Sequence, residues 1–246
     1  MSLPISLPDG KTLNIKIKKS IRAKNLRIRV DVLGVYAIVP ANYDVKDLVN
    51  FIDNKKNWIA NASRYYDKLR MKYDEQHLRT NTISFLGKRY QFKMIKDKIS
   101  SILISENLKL ITFHVADKRK YKNDILKWYE IETANIIAKR LPLIASKLNI
   151  QYNAFSIKKQ KSRWGSCSKK RRNLYFNLLL SATPMEVIDY VIAHELIHIV
   201  EPNHSKNFWN LIKSADPNYQ KHRQWLNTYG SLINNTPTIE TTKGNR

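Results

Sequence analysis

Hydrophobic and polar residues alternate along the first forty positions. In LNIKIKK, Leu13, Ile15 and Ile17 fall on one face of a strand, and in LRIRVDV the same holds for Leu26, Ile28 and Val30. Gly34 marks a turn before VYAIVP, and these runs predict an antiparallel sheet with one face in water. After Pro40 the period changes. Asn42 or Asp44 can cap a helix carrying Val45, Leu48, Val49, Ile52 and Ile59 at helical spacing, continuing through RYYDKLRMKY. Trp58, Tyr65 and Tyr66 are expected in its core or at its flank. Strand patterns return in TISFLGKRYQFKMI, SSILIS and LKLITFHV. A second long helix follows, YKNDILKWYEIETANIIAKRL, which Pro142 should break or kink. FSIKKQKSRWGSCSKKRRNLYFNLLLSATP then reads as a strand to about Lys161, a loop holding Gly165 and Cys167, and a return strand from Leu174 to Leu180. No internal repeat is visible, and the tail from Asn234 lacks periodicity.

The next helix interrupts its own pattern. Thr183 as cap, Pro184 in the first turn and Glu186 at the capping-box position predict its start. Val187, Ile188, Val191, Ile192, Leu196, Ile199 and Val200 make it apolar nearly all round, so it should be buried. Yet it carries His194, Glu195 and His198. Histidines four residues apart project from one helical face, close enough for two ring nitrogens to reach one ion. Glu195 points to the side of that pair, where it can hold a water without binding the metal. Glu201 precedes Pro202 and is biased away from helical conformation, so the chain should turn there and return His204 to the same ion. Ser205 can cap the helix that follows. Buried, unpaired histidines and a buried glutamate would otherwise carry heavy desolvation costs. Three histidines with an open position suit a catalytic zinc, about one per chain. Asp216 is the reserve third ligand.

Composition sets the surroundings. The chain has 246 residues, 43% of them hydrophobic, enough for one large domain or two small ones. Lys and Arg number 44 against 20 Asp and Glu, a formal net charge of +24. Such a field attracts polyanions, chiefly nucleic acid, although lysine can also simply fill solvated positions. The segment between the two predicted strands concentrates this charge in Lys158, Lys159, Lys161, Arg163 and Lys169 to Arg172, either guarding a sheet edge or facing substrate. The single cysteine, Cys167, rules out a disulfide within the chain. The first residues lack the features of a secretory signal, and no apolar run approaches the ~20 residues of a membrane span. A cytoplasmic protein is expected. His77 and His114 lie away from any partner motif.

QKSRWGSCS, NLYFNLLL, PMEVIDYVIAHELIHIVEPNHSKNFW and PNYQKHRQWL together resemble the YgjP-like metallopeptidase family, which is similar to the SprT-like proteases and other zincins. The resemblance is dense from about Tyr121 to Leu226, and LRIRV, FIDNKKNWI and FLGKRYQF fall in the family's order before it. It implies that His194, His198 and His204 bind zinc, that Glu195 is the catalytic acid and base, and that a mixed β domain precedes a helical zincin domain. Glu201 stands where metzincins carry a glycine, so the chain is not a metzincin. The expected fold class is α+β. A β-rich domain with a long helix is expected over residues 1–116, a zincin-like domain with a β-hairpin over 117–233, and a flexible tail over 234–246. The expected activity is zinc-dependent hydrolysis of protein or peptide substrates. The rival is a basic nucleic-acid-binding module with a structural or vestigial zinc, and a protease acting on nucleic-acid-associated proteins would combine the two. Arg163 and Trp164 in the RWGSCS motif, with Tyr219, are candidate substrate-binding residues, and Tyr219 or His222 could donate a hydrogen bond to a transition state.

Overall fold

The alternating N-terminal positions form four strands in the computed structural model, which describes residues 2–31, 34–77, 82–98, 100–117, 121–160 and 163–234. Lys161 of the basic segment, the side chain of His77, and all of the expected tail but Asn234 lie outside the described residues. The contacts divide the chain into two units, Met1–Arg79 and Thr80–Arg246.

In the first unit, β1 (Ser2–Ser6), β2 (Thr12–Lys19), β3 (Arg27–Asp31) and β4 (Gly34–Val39) lie in the order β1-β2-β4-β3. The sheet is mixed rather than antiparallel, because β2 and β4 run parallel at its centre. Alternation sorts residues between faces but does not select a strand's neighbour. Ile15, Val30, Val35, Ala37 and Val39 form a core with Leu48 and Ile52 of α1 (Val45–Asn54) and Ile59 of α2 (Lys56–His77). Asp44 caps α1, its carboxylate accepting from the backbone N–H groups of Lys46 and Asp47 at 2.6 and 3.3 Å. The single long helix expected here is two, because Lys55 leaves helical geometry at φ −108°, ψ 7°. Tyr66 packs on the core, but Trp58 and Tyr65 are 52% and 49% exposed.

The second unit begins with a sheet of the same plan. Strands β5 (Thr82–Phe85), β6 (Lys88–Lys96), β7 (Ser101–Ser105) and β8 (Leu110–Val115) lie in the order β5-β6-β8-β7, again with a parallel central pair. The chain therefore does contain a repeat, in topology. Gly10 and Gly87 turn the corresponding first hairpins at φ +79° and +73°. The repeat resides in pairing order, which residue identities do not display.

Helix α3 (Tyr121–Leu148) runs through Pro142 without ending. Its first half, with Ile125, Trp128 and Tyr129, packs against Ile83, Phe85, Ile111 and Phe113 of the β5–β8 sheet. Its second half, with Ile137, Leu141 and Ala145, enters a separate core shared with the remaining helices. This shared spine moves the boundary expected at 116/117 back to 79/80, since the second sheet buries its apolar face on α3.

Three short strands follow: β9 (Ala154–Lys158), β10 (Gly165–Ser168) and β11 (Asn173–Asn177), in the order β10-β11-β9. The expected return strand does not pair back on β9 as a hairpin. Instead β11 runs parallel to β9, and its hairpin partner is β10, so Gly165 and Cys167 sit on a strand. The apolar run Leu178–Ala182 is a 3-10 helix. Helices α4 (Met185–Val200), α5 (Lys206–Ala215) and α6 (Tyr219–Asn234) complete an α+β fold. Among the described residues no helix is long and apolar enough to cross a membrane.

Buried Thr133 ties α3 to the 3-10 helix leading into α4. Its hydroxyl donates to the Leu178 carbonyl at 2.7 Å and accepts from the Ser181 N–H at 3.2 Å. Thr133→Val keeps the shape but removes these hydrogen bonds, so it is expected to cost about 0.5–1.5 kcal/mol in urea unfolding. An unchanged unfolding midpoint would show that this junction contributes nothing to stability.

Candidate metal centre

Helix α4 starts differently from its sequence signals. Pro184 occupies the cap position without a side-chain cap bond, and the Thr183 hydroxyl donates back to the Leu180 carbonyl at 2.8 Å. Thr183 is fully buried, and its hydrogen bond closes the 3-10 helix rather than opening α4. At the other end the chain leaves helical geometry at Glu201, which lies extended at φ −120°, ψ 97° before Pro202. Ser205 then caps α5, its hydroxyl accepting from the Phe208 N–H at 3.2 Å. These two events form the turn that carries His204.

The turn brings His204 to the face of α4 that holds His194 and His198. The Nε2 atom of His194 lies 3.2 Å from Nε2 of His198 and 3.1 Å from Nε2 of His204. Hydrogen bonding alone does not account for this convergence. A ring nitrogen carries either one proton or one in-plane lone pair, so the His194 Nε2 can satisfy one of its two neighbours at most. One shared cation satisfies all three. Nitrogens sharing a tetrahedral zinc at about 2.0–2.1 Å lie about 3.3 Å apart, which matches the two contacts. The His198 Nδ1 is 3.1 Å from the Glu201 carbonyl, which can only accept, so Nδ1 carries the proton and the Nε2 lone pair faces the centre. Burial holds the His194 pKa down to about 3 and also lowers that of His198, with the neighbouring rings adding to both shifts. Both helix-borne donors are therefore neutral, as metal binding requires. The three histidines fit the ion. Among the described residues, they form the group of possible metal-holding side chains. Asp216 does not join them: its carboxylate accepts from Nδ1 of His222 at 2.6 Å.

Glu195 points elsewhere, into the wall made by β10. It is 5% exposed, and burial pushes its pKa up to about 8 against the lowering effect of the Arg163 charge. A Cβ placed on Gly165 would lie 2.6 Å from Glu195 Cγ and 2.7 Å from Oε1. Gly165 is thus the clearance in which the Glu195 side chain sits. On the same strand, burial and the nearby Glu195 charge raise the Cys167 thiol to about 11, so it stays protonated and poorly nucleophilic.

The chain ahead of β10 is pinned by buried Asn177. Its side-chain amide donates to the carbonyls of Gln160 and Arg163 at 2.8 and 2.9 Å, and its backbone N–H donates to the Trp164 carbonyl at 2.9 Å. Of the three candidate substrate contacts, the Arg163 side chain is exposed. The Trp164 indole packs over Gly230 of α6, where an added Cβ would meet Nε1 at 3.0 Å. The Tyr219 ring stacks on Trp209 at 5.5 Å between centroids. His222 is engaged by Asp216, and His114 forms a pair with Asp97 at 2.9 Å. Lys169 to Arg172 are all exposed, at a 3-10 turn between β10 and β11.

The model of the YgjP-like metallopeptidase domain matches residues 24–229. The chain belongs to the YgjP-like family. Membership makes it a peptidase, a hydrolase of protein or peptide substrates, and implies a metal ion. No curated protein matches the sequence. Two solved structures show limited similarity to this YgjP-like chain. One is the metallopeptidase zymogen abylysin of Pyrococcus abyssi, 19% identical, covering 37% of this chain and 90% of its own, at a TM-score of 0.35. The other is the zymogen jannalysin of Methanocaldococcus jannaschii, 26% identical, covering 37% and 92%, at a TM-score of 0.33. Scores this low do not establish a common fold.

In the sequence of this YgjP-like chain Gly165 reads as part of a loop, and nothing there assigns a role to Asn177. The glycine's signal is a steric one, visible only when β10 is laid against α4. Gly165→Ala is expected to destabilise the protein by about 1–3 kcal/mol, because the added methyl overlaps Glu195. Most of that loss should disappear when Glu195→Ala removes the opposing atoms, as a double-mutant cycle in urea would measure. Additive losses would mean that the methyl clashes with something else.

Proposed function

We propose that the chain is a zinc-dependent peptidase in which His194, His198 and His204 hold the ion and Glu195 handles the protons. The convergence of three Nε2 atoms, two of them 3.2 and 3.1 Å from the third, is the observation that carries this reading. Bound there, zinc would supply Lewis acidity, acidifying water to a pKa of about 7 and drawing electron density from a carbonyl oxygen.

The chain's own groups would do the rest. Three histidines leave a coordination position for the reaction, unlike the closed four-ligand set of structural sites. Glu195 takes a proton from the attacking water as its oxygen reaches the peptide carbonyl carbon, then passes that proton to the leaving nitrogen. Burial makes the carboxylate a stronger base than a solvated one. Gly165 gives it room, and the packed wall of β10 limits where it can swing. Arg163, exposed beside this wall, is placed to meet a carbonyl or carboxylate of the substrate. Trp164 and Tyr219 would shape the cleft through their packing rather than by touching substrate.

Glu195→Gln keeps the shape and an accepting oxygen but cannot take up the proton. Zinc content and fold should survive, while peptide hydrolysis falls by at least ~10²-fold. Full activity in this variant would falsify the mechanism, and loss of zinc would make Glu195 a ligand. Metal analysis of protein purified without a histidine tag tests the ligand set. His204→Ala should lower zinc occupancy sharply, whereas Asp216→Ala should leave it intact because Asp216 is engaged with His222. The reverse pattern would reassign the third ligand.

A further inference from the structure

Two of the three histidines have an evident source of order. His194 and His198 stand on buried α4, and His198 is held through Nδ1 by the Glu201 carbonyl. His204 has neither advantage. It lies in the turn between α4 and α5, its side chain is exposed, and its polar neighbour among the described hydrogen bonds is the Nε2 atom of His194. A loop imidazole without a partner for its other nitrogen would lose rotamer freedom each time it joined a metal site.

Ring packing replaces the missing hydrogen bond. The Trp209 indole lies nearly parallel to the His204 ring, with centroids 5.6 Å apart and planes 26° apart. Phe208 meets His204 edge-on at 4.7 Å. Trp209 is itself held from α6: Tyr219 stacks on it at 5.5 Å and 25°, and the Arg223 guanidinium lies 4.8 Å from its ring centroid. Tyr219 and Arg223 are one helical turn apart and reach the indole from one face of α6. The result is a ladder running from α6 through Trp209 to His204. Each rung belongs to a class of interaction that favours one orientation: offset aromatic stacking for the tyrosine, cation–π attraction for the arginine.

We propose that Trp209 is a positioning residue for the third ligand, fixing the His204 ring so that its Nε2 faces those of His194 and His198. This rests on the metal reading above and goes beyond it. It assigns the order of the site to a tryptophan that binds no metal and to two residues of α6 behind it. Tyr219 then acts through Trp209, away from the substrate.

Zinc affinity of the full chain, measured by competition with a chromogenic chelator, tests this directly. Trp209→Ala should weaken zinc binding about tenfold, the lower end for losing a group that orients a ligand. Trp209→Phe, which keeps a stacking face, should recover most of that loss. Tyr219→Ala should weaken binding by less than Trp209→Ala, and should add nothing once Trp209 is alanine. In a His204→Ala background, Trp209→Ala should have no further effect on zinc, because the ring it orients is gone. Wild-type affinity in Trp209→Ala overturns the proposal while leaving the metal site in place. The same fold loss with and without His204 also overturns it, since the damage would then be general. A wild-type chain that binds no zinc overturns both this and the metal reading. If Trp209→Ala does not fold, the comparison of Trp209→Phe and Tyr219→Ala in the presence and absence of His204 decides in the same way.

Discussion

A carboxyl group that is 5% exposed, on a helix whose other buried residues are apolar, must either give up its charge or meet a positive one. Glu195 is under that constraint, and the second unit is arranged around it. Burial alone drives the group toward its protonated form, while the Arg163 charge pulls the other way. The neighbouring His194 faces the mirror problem, since its protonated form is penalised by the same burial and by two further rings. A helix carrying both groups therefore contains neutral imidazoles and a carboxyl short of positive charge. One cation at the histidines, as proposed, would relieve both conditions.

Much of this site was legible in the sequence because it is written locally. The spacing of His194 and His198 is a property of the helical period, and the extended Glu201 follows from the proline after it. Ser205 marks the start of α5 by its own chemistry. Thr183 looked like a cap for the same reason and was not one. Its hydroxyl found the Leu180 carbonyl first, a competition that local patterns cannot decide. Gly165 was illegible in a different way. Its contact with Glu195 spans thirty positions of sequence and depends on β10 being an edge strand against α4. A glycine near basic residues reads as a turn unless the facing element is known.

The fold divides along the same line. Alternation located strands in both sheets, yet it did not show that each has a parallel central pair or that the two share a strand order. Parallel pairing requires a crossover and leaves no mark on the alternation itself. Beta content alone does not mark the division between the two units. The relevant quantity is where apolar surface is covered. Phe113 and Ile111 are buried against α3, so the second sheet stays with the helices although its strands resemble the N-terminal ones. Pro142 belongs to the same argument. Its ring removes one helical hydrogen bond, but Leu141 and Ala145 on either side are buried in the core, and that packing outweighs the local penalty.

Helix α6 contributes nothing to the three-histidine group, but it touches both walls of the site. Through Gly230 it seats the Trp164 indole, whose backbone carbonyl is bonded by Asn177 at the entry to β10. Through Tyr219 and Arg223 it holds Trp209, which stacks on His204. The first path ends at the strand that gives Glu195 its clearance, and the second at the most exposed of the three histidines. The two paths leave α6 eleven residues apart, at Tyr219 and Gly230, a separation of about 16 Å along a helix. A rigid element of that length fixes the spacing between the walls in a way that two independent loops would not. Ile233, buried near its end in the core beneath the second sheet, anchors the helix to the α3 spine. The site is therefore held from behind by the segment that follows it in sequence, and the geometry of Glu195 relative to the histidines is a property of the whole second unit.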